Sequence, residues 1–159
     1  MDALTIRPAV RGDVPAIHGL IRELAVYEKL EHLCTGTERA LEQALFDSPP
    51  SAEVLVASVD AEIVGFALFF PTFSTFLARP GLWLEDLYVQ PAHRGTGIGR
   101  MLLAYLGALA VERGCGRFEW SVLDWNEHAI RFYERMGATL LPDWRICRVA
   151  GDALQRFAA

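Results

Sequence analysis

At 159 residues, 52% apolar and 22% charged, the chain has the size and make-up of one compact globular domain rather than a disordered segment. A net charge of −5 without any basic block or aromatic-basic interleaving argues against a nucleic-acid partner, and mildly suits a cationic substrate. Apolar runs are all interrupted well short of a membrane span, and the first eight residues carry no leader pattern. Cys34, Cys115 and Cys147 are odd in number and far apart, which predicts a reducing cytoplasm and neither a disulfide framework nor a zinc site. The four histidines show no ligand spacing, so no metal is expected.

Taken in order, Leu4–Arg7 alternates as a short strand closed by Pro8. Asp13 is placed to cap a helix with Ile17, Leu20, Ile21, Leu24 and Ala25 on its buried stripe, running to Tyr27-Glu28. Thr35-x-x-Glu38 reads as a capping box for a second helix, stopped by Asp47-Ser48-Pro49-Pro50. Val54–Val59 and Ile63–Phe70 predict an antiparallel hairpin turning at Asp60-Ala61, followed by an aromatic loop from Pro71 to Pro80. Leu82–Val89 is the fourth strand, and Met101–Arg113 a helix ended by Gly114. Arg117–Leu123 is the fifth strand. Asn126 caps a fourth helix through Arg135, terminated by Gly137. Thr139–Leu141 and Arg145–Val149 complete the strands, and Gly151–Phe157 forms a last short helix. The order β-α-α-β-β-β-α-β-α-β-β predicts an α/β fold with a mixed sheet, helices on both faces and a single domain over residues 1–159.

Between the fourth strand and its helix lies Arg94-Gly95-Thr96-Gly97-Ile98-Gly99-Arg100. A glycine-rich turn feeding a helix lets main-chain N–H groups converge, adds the positive helix end, and here is flanked by two arginines. It fits neither the dinucleotide fingerprint, which needs glycine at position 100 or 102, nor the Walker loop, which needs Lys-Ser/Thr after Gly99. Arg94-x-x-Gly97-x-Gly99 instead resembles the acetyl-CoA pyrophosphate loop of the GNAT N-acetyltransferase superfamily.

Further segments resemble the diamine (spermidine/spermine) and thialysine branch of that superfamily: Glu23–Glu28, Ile63–Ala67, Leu84-Glu85-Asp86-Leu87, Trp125-Asn126-Glu127 and Phe132–Ala138, in order and across nearly the whole chain. The resemblance implies a GNAT fold with a splayed central sheet, acetyl-CoA as co-substrate, a small amine as acceptor, and a homodimer to which the aromatic stretch 70–83 would lend apolar surface. An amine arrives as an ammonium with a pKa of about 10.4 and must lose a proton before it attacks. Strand alternation turns Glu85 and Asp86 to opposite faces, and the resemblance gives Glu85 the base role. It gives Tyr133, a phenol protonated at neutral pH, the role of acid toward the departing thiolate. Main-chain groups of Leu87, Tyr88 and Val89 would meet the acyl arm if the fourth strand bulges. Asn126 is both a helix cap and an implied pantetheine partner; Arg135, Arg131 or Arg100 would meet the 3′-phosphate. Tyr27, Glu28, Glu85 and Glu119 are the implied amine contacts, a row of acids suited to separated ammonium groups.

The segment from Gly137 to Trp144 lacks the acid run of the animal polyamine enzymes, which argues against spermine and leaves smaller diamines or thialysine. Two other readings stand beside this one: a non-catalytic acyl-CoA sensor, and a protein or peptide N-acetyltransferase.

Overall fold

The structure, a computed structural model, describes residues 3–159. It divides into two compact units, Met1–Ser121 and Val122–Ala159. In the first, β1 (Leu4–Pro8), β2 (Glu53–Val59), β3 (Glu62–Ser74), β4 (Arg79–Val89) and β5 (Arg117–Glu119) form one sheet in that spatial order. Every neighbouring pair is antiparallel except β4 with β5, which is parallel. Helices α1 (Val14–Tyr27) and α2 (Glu38–Phe46) precede β2, and α3 (Ile98–Glu112) connects β4 to β5.

Alternation along the strands builds two cores. Val54, Val56, Phe66 and Tyr88 turn toward Ile17 and Leu20 of α1 and Leu45 of α2. Leu55, Ala67, Phe69, Leu82 and Leu84 turn the other way and are equally buried, and α3 brings Leu102, Leu103 and Leu106 to β2, β3 and β4. The β2–β3 hairpin turns at Asp60 and Ala61 with φ of 50° and 70°, the left-handed pair a two-residue turn requires. Gly114 ends α3 with φ 71°.

Four local features of the first unit differ from expectation. Asp13 precedes α1 but bonds no helix amide. Its carboxylate takes two bonds from Arg7 at 2.7 and 3.1 Å and one from the Val10 amide at 2.8 Å, so it caps the short turn ahead of the helix. The cap of α2 is Thr37, whose hydroxyl accepts from the Ala40 amide at 3.1 Å, not Thr35. The aromatic stretch 71–80 is mostly strand: β3 runs to Ser74, β4 starts at Arg79, and each residue from Pro71 to Ser74 has a ladder partner. The fifth strand stops at Glu119 rather than Leu123.

In the second unit, α4 (Glu127–Arg135) starts at Asn126, whose side chain accepts from the Ala129 amide at 3.3 Å, and Gly137 leaves it with φ 101°. The two expected last strands are absent among the described residues. Leu140, Leu141, Ile146 and Val149 are exposed there, and these segments have no ladder partner among the described residues. A pattern makes a strand only where an edge is offered. Helix α5 (Asp152–Phe157) closes the chain.

Candidate active site

Pro91 cannot extend the ladder, so β4 ends and the chain turns through a short 3-10 segment, with the His93 amide on the Gln90 carbonyl and the Arg94 amide on that of Pro91. Thr96 donates its hydroxyl to the His93 carbonyl at 2.6 Å. Gly95 and Gly97 then take φ of 77° and 91°, and α3 begins at the buried Ile98. A Cβ at either glycine would meet no neighbour, so the backbone conformation alone demands glycine there. The main-chain amides from Gly95 to Arg100 find no acceptor among the described residues. The first amide of the helix to do so belongs to Met101, which bonds Gly97. Six uncommitted donors at a helix start, five of the six residues exposed or partly so, suit an anion.

Beside the loop, β4 has an open edge. It pairs with β5 only from Gly81 to Trp83. The Gln90 amide bonds Val64 of β3, and the Tyr88 carbonyl lies against Gly65. Alternation therefore turns the peptide groups of Leu87 and Val89 to the opposite, unpaired edge. Of the three residues expected to meet an acyl arm through the main chain, Leu87 and Val89 are so placed. Tyr88 is not: its main chain faces β3, and its ring is in the core.

The side-chain geometry of β4 overturns one expectation. Leu68 pairs with Asp86 and Phe69 with Leu84, which leaves Glu85 as the extra residue of a β-bulge. Phe66, Leu68 and Phe70 share one face of β3, so their partners Tyr88, Asp86 and Trp83 share the α1 face as well. Glu85 joins them, accepting from the Trp83 indole at 2.9 Å. The two acids therefore stand together, whereas strict alternation separates them. Glu28, at the end of α1, belongs to the same cluster. Burial, and then the charge of Glu85, holds the Glu28 carboxyl above its ordinary range. Burial, followed by Glu85 and Glu28, pushes Asp86 up from 3.8 to about 6.

Glu119 pairs across the ladder with Trp83, hence on the same face, but Arg117 lies 3.6 Å from its carboxylate. Glu28, Glu85 and Asp86 are electrostatically coupled, and Glu119 is paired with Arg117. Asp86 is the member that residue-by-residue reading missed; its adjacency to Glu85 in an apolar strand was the available signal.

Tyr27 and Arg94 lie together, with the guanidinium 5.1 Å from the Tyr27 ring centre and 5.4 Å from that of Tyr88. The Arg94 side chain is stacked on protein, with Nε donating to the Val89 carbonyl at 2.8 Å. In the second unit, the Tyr133 ring lies 5.6 Å from Phe132, and its carbonyl accepts from the Met136 and Ala138 amides. Arg131 pairs with Glu127 at 3.5 Å, whereas Arg100 and Arg135 have no ion pair among the described residues. No three His, Cys, Asp or Glu side chains among the described residues are arranged to hold a metal ion, and no helix there is long and apolar enough to cross a membrane.

The chain matches the sequence model of the Acetyltransferase (GNAT) family over residues 20–138. It is 36% identical to an L-ornithine N5-acetyltransferase of Arabidopsis thaliana, an alignment covering 94% of this chain and 86% of the relative. It is also 36% identical to a thialysine N-epsilon-acetyltransferase of Sus scrofa over 99% of each chain. Among solved structures, an integron cassette protein from the mobile metagenome of V. cholerae superposes with a TM-score of 0.82 at 25% identity, covering 98% of this chain and 97% of that one. Full-length identity at this level, joined to the glycine loop and the split sheet edge, makes the chain a member of the GNAT acetyltransferase family and an N-acetyltransferase.

Proposed function

We propose that the protein transfers the acetyl group of acetyl-CoA to a primary amine of a small cationic substrate, in the class of ornithine, thialysine and short diamines, by direct attack with both substrates bound. The observation that carries the substrate class is the grouping of Glu85 and Asp86 on one face of β4 with Glu28 at the end of α1. A compact group of acids matches one ammonium, or two close together, better than charges spread along a polyamine. The relatives named for ornithine and thialysine point the same way.

In this reading the free amides from Gly95 to Arg100 hold the diphosphate, and Leu87 and Val89 take the acyl arm along the open edge of β4, one amide facing the acetyl oxygen as negative charge grows there. Tyr27, Glu28 and Glu119 line the amine side. The ammonium gives a proton to the Glu85–Asp86 pair, in which burial and the neighbouring acids raise Asp86 to about 6. As the N–C bond forms and the C–S bond breaks, the thiolate takes a proton from Tyr133, a role that rests on the family resemblance. Asn126 contributes to the pantetheine arm on the same ground, and Arg100 or Arg135 meets the 3′-phosphate. The family match spans both units, which supports reading residues 1–159 as one acetyltransferase domain. A cytoplasmic location suits the three free thiols.

Thiol release from acetyl-CoA, measured against ornithine, thialysine, diamines, spermine, aminoglycosides and N-terminal peptides, tests the reading. Turnover is expected with the first three classes and to weaken toward spermine. Turnover confined to peptides, or CoA binding with no acceptor at all, would overturn it. We further propose a homodimer, supported by the apolar side chains left exposed at Phe73, Phe76, Trp144 and Ile146. Sedimentation equilibrium should return twice the chain mass; a monomer at micromolar concentration refutes the pairing.

A further inference from the structure

We infer that Arg94 is a positioning residue that locks the amine-binding end of α1 to the acyl-binding edge of β4, and that its side chain is not a ligand of the diphosphate. The inference rests on the proposed function for what those two edges bind. Its own support is geometric and lies wholly within the first unit.

The guanidinium lies within cation–π distance of two rings, that of Tyr27 on the last turn of α1 and that of Tyr88 on β4. Its Nε is used on the carbonyl of Val89, which faces the open edge. A second tie runs parallel to it, from Gln90 Nε2 to Glu23 Oε2 at 3.2 Å. Glu23 lies one turn before Tyr27 on the same helix. Two residues at the end of β4 and the turn after it thus hold two successive turns of α1.

Only arginine meets all these demands. A planar, always charged guanidinium can lie against two rings and still donate in its own plane. Lysine has the charge but no flat face, and an apolar side chain has neither. A residue whose charge was wanted only by a phosphate would tolerate lysine.

Steady-state kinetics of Arg94→Lys and Arg94→Met separate the two roles, with acetyl-CoA and acetyl-pantetheine as alternative donors, the latter lacking the diphosphate. If Arg94 positions Tyr27 and Glu28, both variants raise the KM for the amine by about tenfold with either donor, and the KM for acetyl-CoA moves by less than about threefold. If Arg94 binds the diphosphate, Arg94→Lys behaves as wild type, or the loss in Arg94→Met appears in the KM for acetyl-CoA and vanishes with acetyl-pantetheine; either result overturns the inference. Thermal melts by circular dichroism set the assay temperature below each Tm, and the decision rests on Arg94→Lys, which retains charge and stem. A wild-type protein inactive toward every amine would sink the proposed function instead. Calorimetry with CoA would then decide the inference alone: an unchanged Kd in Arg94→Met sustains it and a tenfold weaker one ends it.

Discussion

Asp86→Asn should make the protein slower and, at neutral pH, more stable. The kcat/KM for the amine is expected to fall by about 10²-fold, because the substitution breaks the proton-accepting Glu85–Asp86 pair while leaving Glu28 and Glu85 to attract the ammonium. In the wild type, kcat/KM should decline as pH drops through the Asp86 value of about 6, and that limb should be missing from the variant. Stability moves oppositely. The folded state raises the Asp86 pKa from 3.8 to about 6, so well below the unfolded value, under about pH 3, both states are protonated and the group has no effect. As pH climbs from about 4 to 6 the unfolded chain gives up the proton first, and the fold is disfavoured. The full cost is at most about 3 kcal/mol, reduced by solvent screening of a side chain that is not wholly enclosed. A Tm for Asp86→Asn above wild type at pH 8, with the gap closing as pH falls below about 3, is the expected pattern. Equal activity with a lower Tm at pH 8 would show Asp86 to be a structural carboxylate.

Tyr133→Phe should lower kcat by about 10²-fold or more with little change in either KM. Phenylalanine retains the ring that sits 5.6 Å from Phe132, and the main-chain bonds that close α4 use the Tyr133 carbonyl, which the change does not touch. The variant thus loses one hydroxyl on an intact helix. Far-ultraviolet circular dichroism should be unchanged. A kcat within about twofold of wild type would return Tyr133 to the role of an ordinary helix aromatic.

How much of this was legible in the sequence depends on how local each feature is. The β2–β3 turn, the cap at Asn126, the glycine at 114 and the loop from Gly95 to Gly99 are decided within a few residues, by backbone conformation and by one side chain bonding one amide, and these agree with the structure. The bulge at Glu85 is decided by the ladder between β3 and β4, and nothing in Trp83–Val89 marks it. Without it, alternation sends Asp86 to the wrong face and the acid cluster disappears. The surroundings of Arg94 were hidden for a similar reason. Its charge beside three glycines signals an anion, while the rings that claim it come from α1 and β4. The capping-box spacing pointed to Thr35, and Thr37, the residue directly before the helix, takes the bond. The last two strands carried a sound pattern but depended on an edge that a pattern does not supply.

The central claim is that free amides around Gly97 hold the diphosphate of a coenzyme. Calorimetric titration of CoA and of pantetheine into the wild type and into Gly97→Ala tests it directly. Alanine at φ 91° costs on the order of 1–2 kcal/mol in backbone strain and turns the amides away from their common focus. The account predicts that CoA binds the wild type at least about 100-fold more tightly than pantetheine and that Gly97→Ala erases most of that advantage. Equal affinities for CoA and pantetheine in the wild type, or a full advantage surviving in Gly97→Ala, would contradict it.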